Sequence, residues 1–488
     1  MGRTSRTLIG RSLVPLVLVS LLTIGCGDDG PTFPVSCTYT VSPDGSGDFP
    51  TIQAAIDSAS AGDVIELTSG IFAGEGNRDI DYLGKAITIR SASGDPDSCI
   101  IDCEGDATDP HRAFTFCSGE GSHSVLEGVT VINGYRVGEG LGHIGGAVYC
   151  DDSSPKFVHC TFAGNSANKG GAIYCTWNTH PTITECAFKS NSAAVYGGGM
   201  YCNGSDPRLT NCTFLDNRAA QGGGGIFCAS AYPTLTNCTF ADKTAGSGGG
   251  IMCWDSGPSL TDCSFTGCSA QFSGGGMQCS EDSSPSLTRC EFTDNLATVS
   301  GAGICCQQSS SPVLVSCLFA RNQAQSRGGA VYCRVRSSPV LTDCILTENS
   351  AAHGGALYCE EYSSPMISGC TFSANAAEQH GAGLYCFYNS SPILENSIIA
   401  FSPTGEAIFC KHSDETSLPL LTCCNLFGNA GGDWVGRIED QAGLNGNISE
   451  DPLFCDRNGG IFLLQLDSPC SAANSACGLV GAQPVGCD

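Results

Sequence analysis

The chain has 488 residues, with 48 acidic and 22 basic side chains and a formal net charge of −26 at pH 7. This balance argues against nucleic-acid binding, which needs clustered Lys and Arg to displace counterions from phosphates. Proline, at 22 residues against 64 glycines, is too sparse for collagen. The length alone would suggest about three domains, but an internal repeat replaces that estimate.

A short apolar segment follows a basic N-terminus. The apolar run over 13–24 is too short to span a bilayer and is typical of an export signal. It ends in LTIGC, which resembles the lipobox of bacterial lipoproteins. The resemblance implies a signal peptide over 1–25 and a diacylglycerol on Cys26, followed by a tether over 26–36. Acyl chains would anchor the exported protein to a membrane at the cell surface, expected to be the outer membrane; an ordinary secretory signal is the alternative.

Residues 37–67 read CTYTVSPDGSGDFPTIQAAIDSASAGDVIEL. The pattern predicts a strand, a glycine-rich turn and a short helix, whose apolar face consists of Ile52, Ala55, Ile56 and Ala59. The motif DGSGDFPTIQAAI resembles the N-terminal segment of pectin-lyase-like β-helix proteins, notably pectinesterases. The resemblance implies that the helix caps the first coil of a solenoid. We find no counterpart of the catalytic acids and arginine of the esterases.

A repeat of 24 to 28 residues extends from Gly145 to Asn429. Each copy has a glycine run, an alternating strand that ends in Cys, a turn with Pro, and a second Cys. A fixed period of this size predicts a solenoid, in which equivalent residues stack about 4.8 Å apart. The pattern resembles a right-handed parallel β-helix. We therefore predict an all-β fold of this kind over 37–450, with a capping helix and early coils over 37–144 and regular coils over 145–429.

Two further marks of the repeat are GGA-I, as in Gly170 to Ile173, and F-x-x-N, as in Phe188 and Asn191. They resemble polymorphic outer-membrane protein repeats, which form surface-exposed adhesins, and the resemblance implies adhesion. The Asn column predicts a stacked hydrogen-bond ladder at one turn of each coil. Lys243 and Cys268 interrupt this column.

The sequence changes character over 451–488. Turn residues surround four cysteines there, which predicts a small C-terminal cap held by disulfides among Cys455, Cys470, Cys477 and Cys487. Four cysteines allow three connectivities, and the sequence does not choose between them.

The repeat cysteines leave three interpretations open. In the first, they form ladders of buried thiols that pack as small apolar groups. In the second, they form disulfides within a coil, such as Cys202–Cys212. In the third, they bind a metal, although the close Cys pairs that a metal site needs are scarce. His353 and His380 stack in adjacent coils without an obvious third ligand. Acidic residues in the turns suggest a Ca²⁺ site, but no Asp spacing recurs from one repeat to the next. We therefore expect no metal and no cofactor.

One column of each strand is predicted to face outward, because alternation turns Ile173 and Cys175 inward and Tyr174 outward. Aromatic rings in a line suit contact with glycans or with a partner protein; alternatively, their stacking only stabilises the sheet. Trp177, Trp254, Tyr362 and Tyr388 add contacts on the neighbouring turns. The predicted binding column consists of Tyr149, Tyr174, Tyr201, Phe227, Tyr332, Tyr358 and Tyr385.

We predict from these features a cell-surface binding or adhesion module for a polysaccharide or a surface protein. No catalytic motif is found, which argues against an enzyme. The alternatives are a polysaccharide lyase or hydrolase of the pectin-lyase-like fold, a reading that rests on fold analogy alone, and a structural spacer.

Overall fold

Each sequence repeat forms one coil of a parallel β-solenoid. The computed structural model describes residues 36–140, 142–411 and 417–487. Within them, four sheets of 15, 14, 13 and 10 strands run along the solenoid, and neighbouring strands are parallel. Equivalent residues pair in register, as Tyr174 does with Tyr201 and Cys175 with Cys202. The predicted all-β parallel solenoid is confirmed. Cys26, the signal peptide and the tether up to residue 35 lie outside the described residues.

Two of the sheets, A and B, follow each other in every coil. Sheet A consists of Thr38–Val41, Val64–Leu67, Thr88–Ser91, Val125–Glu127, Lys156–Val158, Thr182–Thr184, Arg208–Thr210, Thr234–Thr236, Ser259–Thr261, Ser286–Thr288, Val313–Val315, Val340–Thr342, Met366–Ser368, Ile393–Glu395 and Leu420–Thr422. Sheet B consists of Gly70–Phe72, Cys99–Asp102, Thr130–Ile132, Thr161–Ala163, Ala187–Lys189, Thr213–Leu215, Thr239–Ala241, Ser264–Thr266, Glu291–Thr293, Leu318–Ala320, Ile345–Thr347, Thr371–Ser373, Ile398–Ala400 and Asn425–Phe427.

The other two sheets, D and C, complete the coil. Sheet D consists of Tyr135–Arg136, Ser166–Lys169, Ser192–Tyr196, Arg218–Gly222, Thr244–Ser247, Ser269–Ala270, Leu296–Ala297, Gln323–Ala324, Ser350–His353 and Ala376–His380. Sheet C consists of Ile80–Asp81, Phe114–Phe116, Val148–Cys150, Ile173–Cys175, Met200–Asn203, Ile226–Ala229, Ile251–Trp254, Met277–Ser280, Ile304–Gln307, Val331–Arg334, Leu357–Cys359, Leu384–Cys386 and Ile408–Cys410.

Left-handed residues turn the chain at the corners between these strands. Asn211 (φ 54°) separates sheets A and B, and Asp216 (φ 53°) separates sheets B and D. Asn and Asp tolerate this conformation better than most residues. At the corner before sheet C, Gly223 (φ 66°) leaves no room for a side chain, because an added Cβ would lie 2.4 Å from the Ile226 carbonyl oxygen. The glycine runs of the repeat are therefore corner signals.

Stacks of identical side chains fill the interior. The Phe188 and Phe214 rings are 4.5 Å apart and parallel within 2°, and the stack continues through Phe319. The cysteines that end the strands of sheet C lie in the same core. With the exception of Cys423, the described cysteines of the repeats are buried thiols, so the intra-coil pair Cys202–Cys212 does not form. Their Sγ atoms approach closely, as at 3.9 Å between Cys359 and Cys386.

The asparagine column forms a hydrogen-bond ladder beside this core. The Asn191 Nδ2 donates to the Phe162 carbonyl oxygen and to the Asn217 Oδ1, both at 2.9 Å. The ladder stops at Asn217, where Lys243 and Cys268 replace asparagine, and resumes from Asn295 to Asn375. These asparagines have essentially no exposed surface.

Three short helices lie outside the regular strands in the described part of the chain. The α-helix α1 spans Ile52–Ser58, begins at the N-cap Thr51, and buries Ile52, Ala55 and Ile56. Two 3₁₀ helices span Pro96–Ser98 and Gly436–Gln441. No helix of residues 36–140, 142–411 and 417–487 is long and apolar enough to cross a membrane.

The C-terminal segment forms a three-stranded sheet of Phe454–Asp456, Ile461–Gln465 and Val485–Cys487. Its four cysteines do not pair only with one another. Cys455 pairs with Cys487, whereas Cys477 pairs with Cys423 of the last coil. Cys470 is a buried thiol that accepts a hydrogen bond from the Asn425 Nδ2 at 3.0 Å. One disulfide thus links this segment to the solenoid.

Candidate functional site

The outer face of sheet C carries the predicted aromatic column. Ile173 and Cys175 belong to the main core, whereas Tyr174 lies in a separate cluster outside it. The column has two aromatic runs, separated by Met252, Gln278 and Cys305. One run contains Tyr149, Tyr174, Tyr201 and Phe227, and the other contains Tyr332, Tyr358, Tyr385 and Phe409.

The rings of the column stack face to face. The Tyr174 and Tyr201 centroids are 5.0 Å apart with an interplanar angle of 6°, and those of Tyr358 and Tyr385 are 4.6 Å apart with the same angle. Tyr174 is 7% exposed and Tyr358 4%. Burial raises the pKa of both hydroxyls, so they stay protonated at neutral pH. The stacked faces are occupied by neighbouring rings and are not available to a ligand.

Side chains from the ends of the sheet D strands pack against the rings of the column. The Lys169 Nζ lies 5.2 Å from the Tyr201 ring centroid. The rings of Tyr196 and Phe227 are 4.3 Å apart, and those of His380 and Phe409 are 4.1 Å apart. The column therefore lies in the corner where sheets D and C meet.

A polar cluster interrupts this apolar corner in the second aromatic run. The Glu360 Oε1 accepts hydrogen bonds from the Tyr332 hydroxyl at 2.5 Å and the Arg327 Nη1 at 2.9 Å. The Tyr358 hydroxyl donates to the Oε2 at 3.3 Å. Burial, followed by Glu360, raises the pKa of Tyr332, which suits its role as a donor. Arg327 remains partly exposed, so the cluster presents a cation to solvent.

Sequence reasoning did not identify Arg327. It stands directly before a glycine run, at the position that Lys169 occupies in its own coil. The recurrence of a basic residue at this corner position, Lys169 in one coil and Arg327 in another, was the signal that could have identified Arg327.

His353 and His380 stack in adjacent coils as predicted, with centroids 6.1 Å apart. His380 Nδ1 lies 3.2 Å from the Glu406 Oε1. The His353 Nδ1 is buried without a hydrogen-bond partner, and burial and then His380 lower the pKa of this imidazole. Within the ranges that the structure describes, no group of three or more His, Cys, Asp or Glu side chains is arranged to hold a metal ion.

Exposed aromatic rings lie at the C-terminal ends of sheet C strands and on the turns that follow them. Trp177 is 60% exposed and Trp254 44%, and their strands are three apart in sheet C. The Trp177 ring lies against Gly204 of the next coil, where an added Cβ would meet it at 2.1 Å. We call this set the turn aromatics: Trp177, Tyr232, Trp254, Tyr362 and Tyr388.

A groove of about 400 Å³ lies elsewhere, along sheet D. Small residues such as Ala297 and Ala324 form its floor, and Gln323, Gln325 and Glu378 supply polar groups. None of the predicted site residues lines it.

Comparison with known proteins agrees with this architecture. The sequence model of the family described as "Right handed beta helix region" matches residues 85–270, 198–355 and 276–447. No curated protein is significantly similar in sequence.

Solved structures share the fold at low identity. Pectate lyase Pel9A is 12% identical, with 92% of this chain and 97% of that chain covered and a TM-score of 0.35. A mannuronic acid specific polysaccharide family 6 lyase from human gut microbiota is also 12% identical, with 80% and 86% covered and a TM-score of 0.42. Tailspike protein 3 of bacteriophage CBA120 is 14% identical, with 82% and 56% covered and a TM-score of 0.40. The likeness concerns the fold alone, and the chain belongs to the right-handed β-helix family.

Proposed function

We propose that this protein is a cell-surface module that binds glycans through the turn aromatics. One observation carries the proposal: large flat side chains stay exposed on several turns of one edge, whereas the ring stacks of the core and of the sheet C column are buried. Large exposed apolar groups on an otherwise polar surface mark contact sites. The stacked column on sheet C is the support of this edge.

The geometry of the turns suits an extended polymer. Trp177 and Trp254 stand three coils apart, about 14 Å along the axis. An aromatic face with a polar tip offers both an apolar surface for a sugar ring and a donor for its hydroxyls. Because Trp177 already rests on Gly204, little side-chain freedom is lost on binding. A glycan lying along the solenoid would meet several rings in turn.

The proposal includes the domain organisation and location expected from the sequence. The segment over 1–25 is a signal peptide, Cys26 carries the lipid, and 26–36 tethers the β-helix to the outer membrane. Helix α1 covers the first coil, an assignment supported by its three buried apolar residues. The segment over 451–488 closes the other end.

The test uses the body of the protein in affinity gels that contain soluble plant, algal or bacterial polysaccharides. We expect retardation by at least one glycan, and at least a tenfold loss of affinity in the double variant Trp177→Ala, Trp254→Ala. The matched control is Phe272→Ala, an equally exposed ring outside this edge, which should bind like the wild type. Equal retardation of all three proteins would reject the turn aromatics as the site.

The polar cluster favours a second function, a polysaccharide lyase or hydrolase. A neutral imidazole with an unpartnered Nδ1 is a candidate general base, and His353 lies 5.1 Å from the Tyr385 ring in the corner that holds Arg327 and Glu360. Release of new chain ends from a bound glycan would support this function if His353→Gln abolished it. Retardation without any new chain ends would leave the binding module.

A further inference from the structure

Arg112 occupies an unusual place at the N-terminal end of the corner between sheets D and C. It precedes the strand Phe114–Phe116, and its coil bonds to the next through the Ala113 amide and the Ala147 carbonyl. The residue is 7% exposed. Its guanidinium lies over the Tyr149 ring, 5.1 Å from the centroid.

This guanidinium has no anionic partner among the described residues. Only the backbone amide of Arg112 makes a polar contact that involves a carboxylate, donating to the Asp79 Oδ1 at 3.2 Å. The side chain makes no hydrogen bond and no ion pair there. The cation is therefore balanced by the face of Tyr149 and by the attraction of Asp79, and it lacks the direct ion pair that would hold it more strongly.

The neighbouring carboxylates are engaged by other cations. Asp79 lies 3.2 Å from the Arg136 Nη2 and also contacts the His111 Nδ1. Arg78 lies 3.2 Å from the Glu104 Oε2 and 3.7 Å from the Asp109 Oδ2. The local cations thus share the available acids and leave Arg112 unpaired.

Burial, followed by repulsion from Arg136, lowers the pKa of Arg112 to about 10. The group is still charged at neutral pH. A buried charge without a partner is costly, and an entering anion would remove that cost. Arg136 would also gain from an entering anion, because its Nε is buried without a hydrogen-bond partner.

We propose that Arg112, with Arg136 beside it, binds an oxyanion, a carboxylate or a sulfate group of a ligand. The planar guanidinium offers parallel N–H donors that match two oxygens of such a group. Tyr149 would hold the guanidinium plane from one side. The strand of Tyr149 lies seven strands from that of Tyr332 in sheet C, about 34 Å away. The site is thus distinct from the Arg327 cluster. Its test does not depend on the glycan proposal, because it measures binding of small anions.

The experiment measures the thermal midpoint of the full chain during titration with sodium sulfate or sodium acetate at constant ionic strength set by chloride. We expect a saturable rise for the wild type, and the anion that saturates at lower concentration identifies the preferred group. Arg112→Gln should lose the saturable part and keep only the gradual salt effect. Arg289→Gln, which removes an exposed ion pair with Asp262, is the matched control and should keep it.

A second variant separates binding from folding. Without added anion, Arg112→Met should raise the midpoint, because it removes an unpaired buried charge while keeping an apolar contact with Tyr149. A lowered midpoint would show that the guanidinium already has a partner and would overturn the proposal. The same follows if Arg112→Gln retains the saturable rise, or if neither anion produces one in the wild type.

Discussion

Lys243 is the side chain whose replacement should stabilise this protein most. It takes the place of asparagine in the interior ladder and has no exposed surface. Its Nζ donates to the Ala241 carbonyl oxygen. Burial lowers the pKa of the amine to about 7, against the attraction of the Cys268 thiol, Asp216 and Asp242. The folded protein therefore carries a charge that its interior disfavours.

The size of the effect follows from this pKa. A fall from 10.5 to about 7 corresponds to about 5 kcal/mol of preference for the neutral amine. Lys243→Asn removes the cost of burying this amine. It also offers the Asn217 amide an acceptor, which adds about 1 kcal/mol. The lost methylenes cost about 1 to 2 kcal/mol through a cavity. We expect a net gain of about 4 to 5 kcal/mol at pH 7.

Hydrogen exchange of the amides over 241–270 is the appropriate assay, because coils of a solenoid open locally. The gain corresponds to about 1000- to 4000-fold slower exchange. Since the pKa is lowered in the folded state, the wild type recovers stability as the pH rises from 7 toward 10.5. The advantage of Lys243→Asn should shrink over that range, whereas the exposed substitution Lys189→Asn should give no advantage at any pH. Faster exchange in Lys243→Asn at pH 7 would refute the reasoning.

Two further predictions concern the asparagine ladder and the corner histidine. Asn322→Ala breaks hydrogen bonds to Phe292 and Asn349 and should lower the free energy of unfolding by about 2 to 4 kcal/mol in chemical denaturation. Asn458→Ala, at an exposed residue without a positive φ, should change it by less than about 0.5 kcal/mol, and equal losses would contradict the ladder. Because burial and then His380 lower the pKa of His353, its contribution to stability is present above about pH 6.5 and lost as the pH falls through the folded pKa. His353→Gln should therefore flatten the thermal midpoint between pH 7 and 5, and an unchanged slope would contradict this assignment.

The parallel solenoid could be predicted because its period fixes the register. Once Cys175 and Cys202 are equivalent, every residue between them has a defined neighbour in the next coil, and stacking follows. The alternation of Ile173, Tyr174 and Cys175 likewise placed the tyrosine outside the core. In such a fold the local sequence pattern also determines the contacts between coils, so the packing of the interior can be predicted from a single sequence.

Exposure at the corner could not be predicted in this way. The alternation says that Tyr174 points away from the core, but not that the next ring and Lys169 cover it. That depends on the angle between sheets D and C, which no single repeat encodes. The link between Cys423 and Cys477 was missed for a related reason, since Cys477 lies beyond the repeat and has no register to place it.

Residues that differ from the other members of their column are therefore the best candidates for functional residues in this chain. A residue that matches its column is explained by stacking, as Phe214 and Asn191 are. Arg327 and Arg112 match no column of like residues, and each places a cation over a tyrosine of sheet C. Stacking gains nothing from a charge, whose repulsion by an identical neighbour would destabilise adjacent coils. Arg327 is balanced by its ion pair with Glu360, whereas Arg112 has no ion pair among the described residues, and it is therefore the departure that we propose binds a ligand.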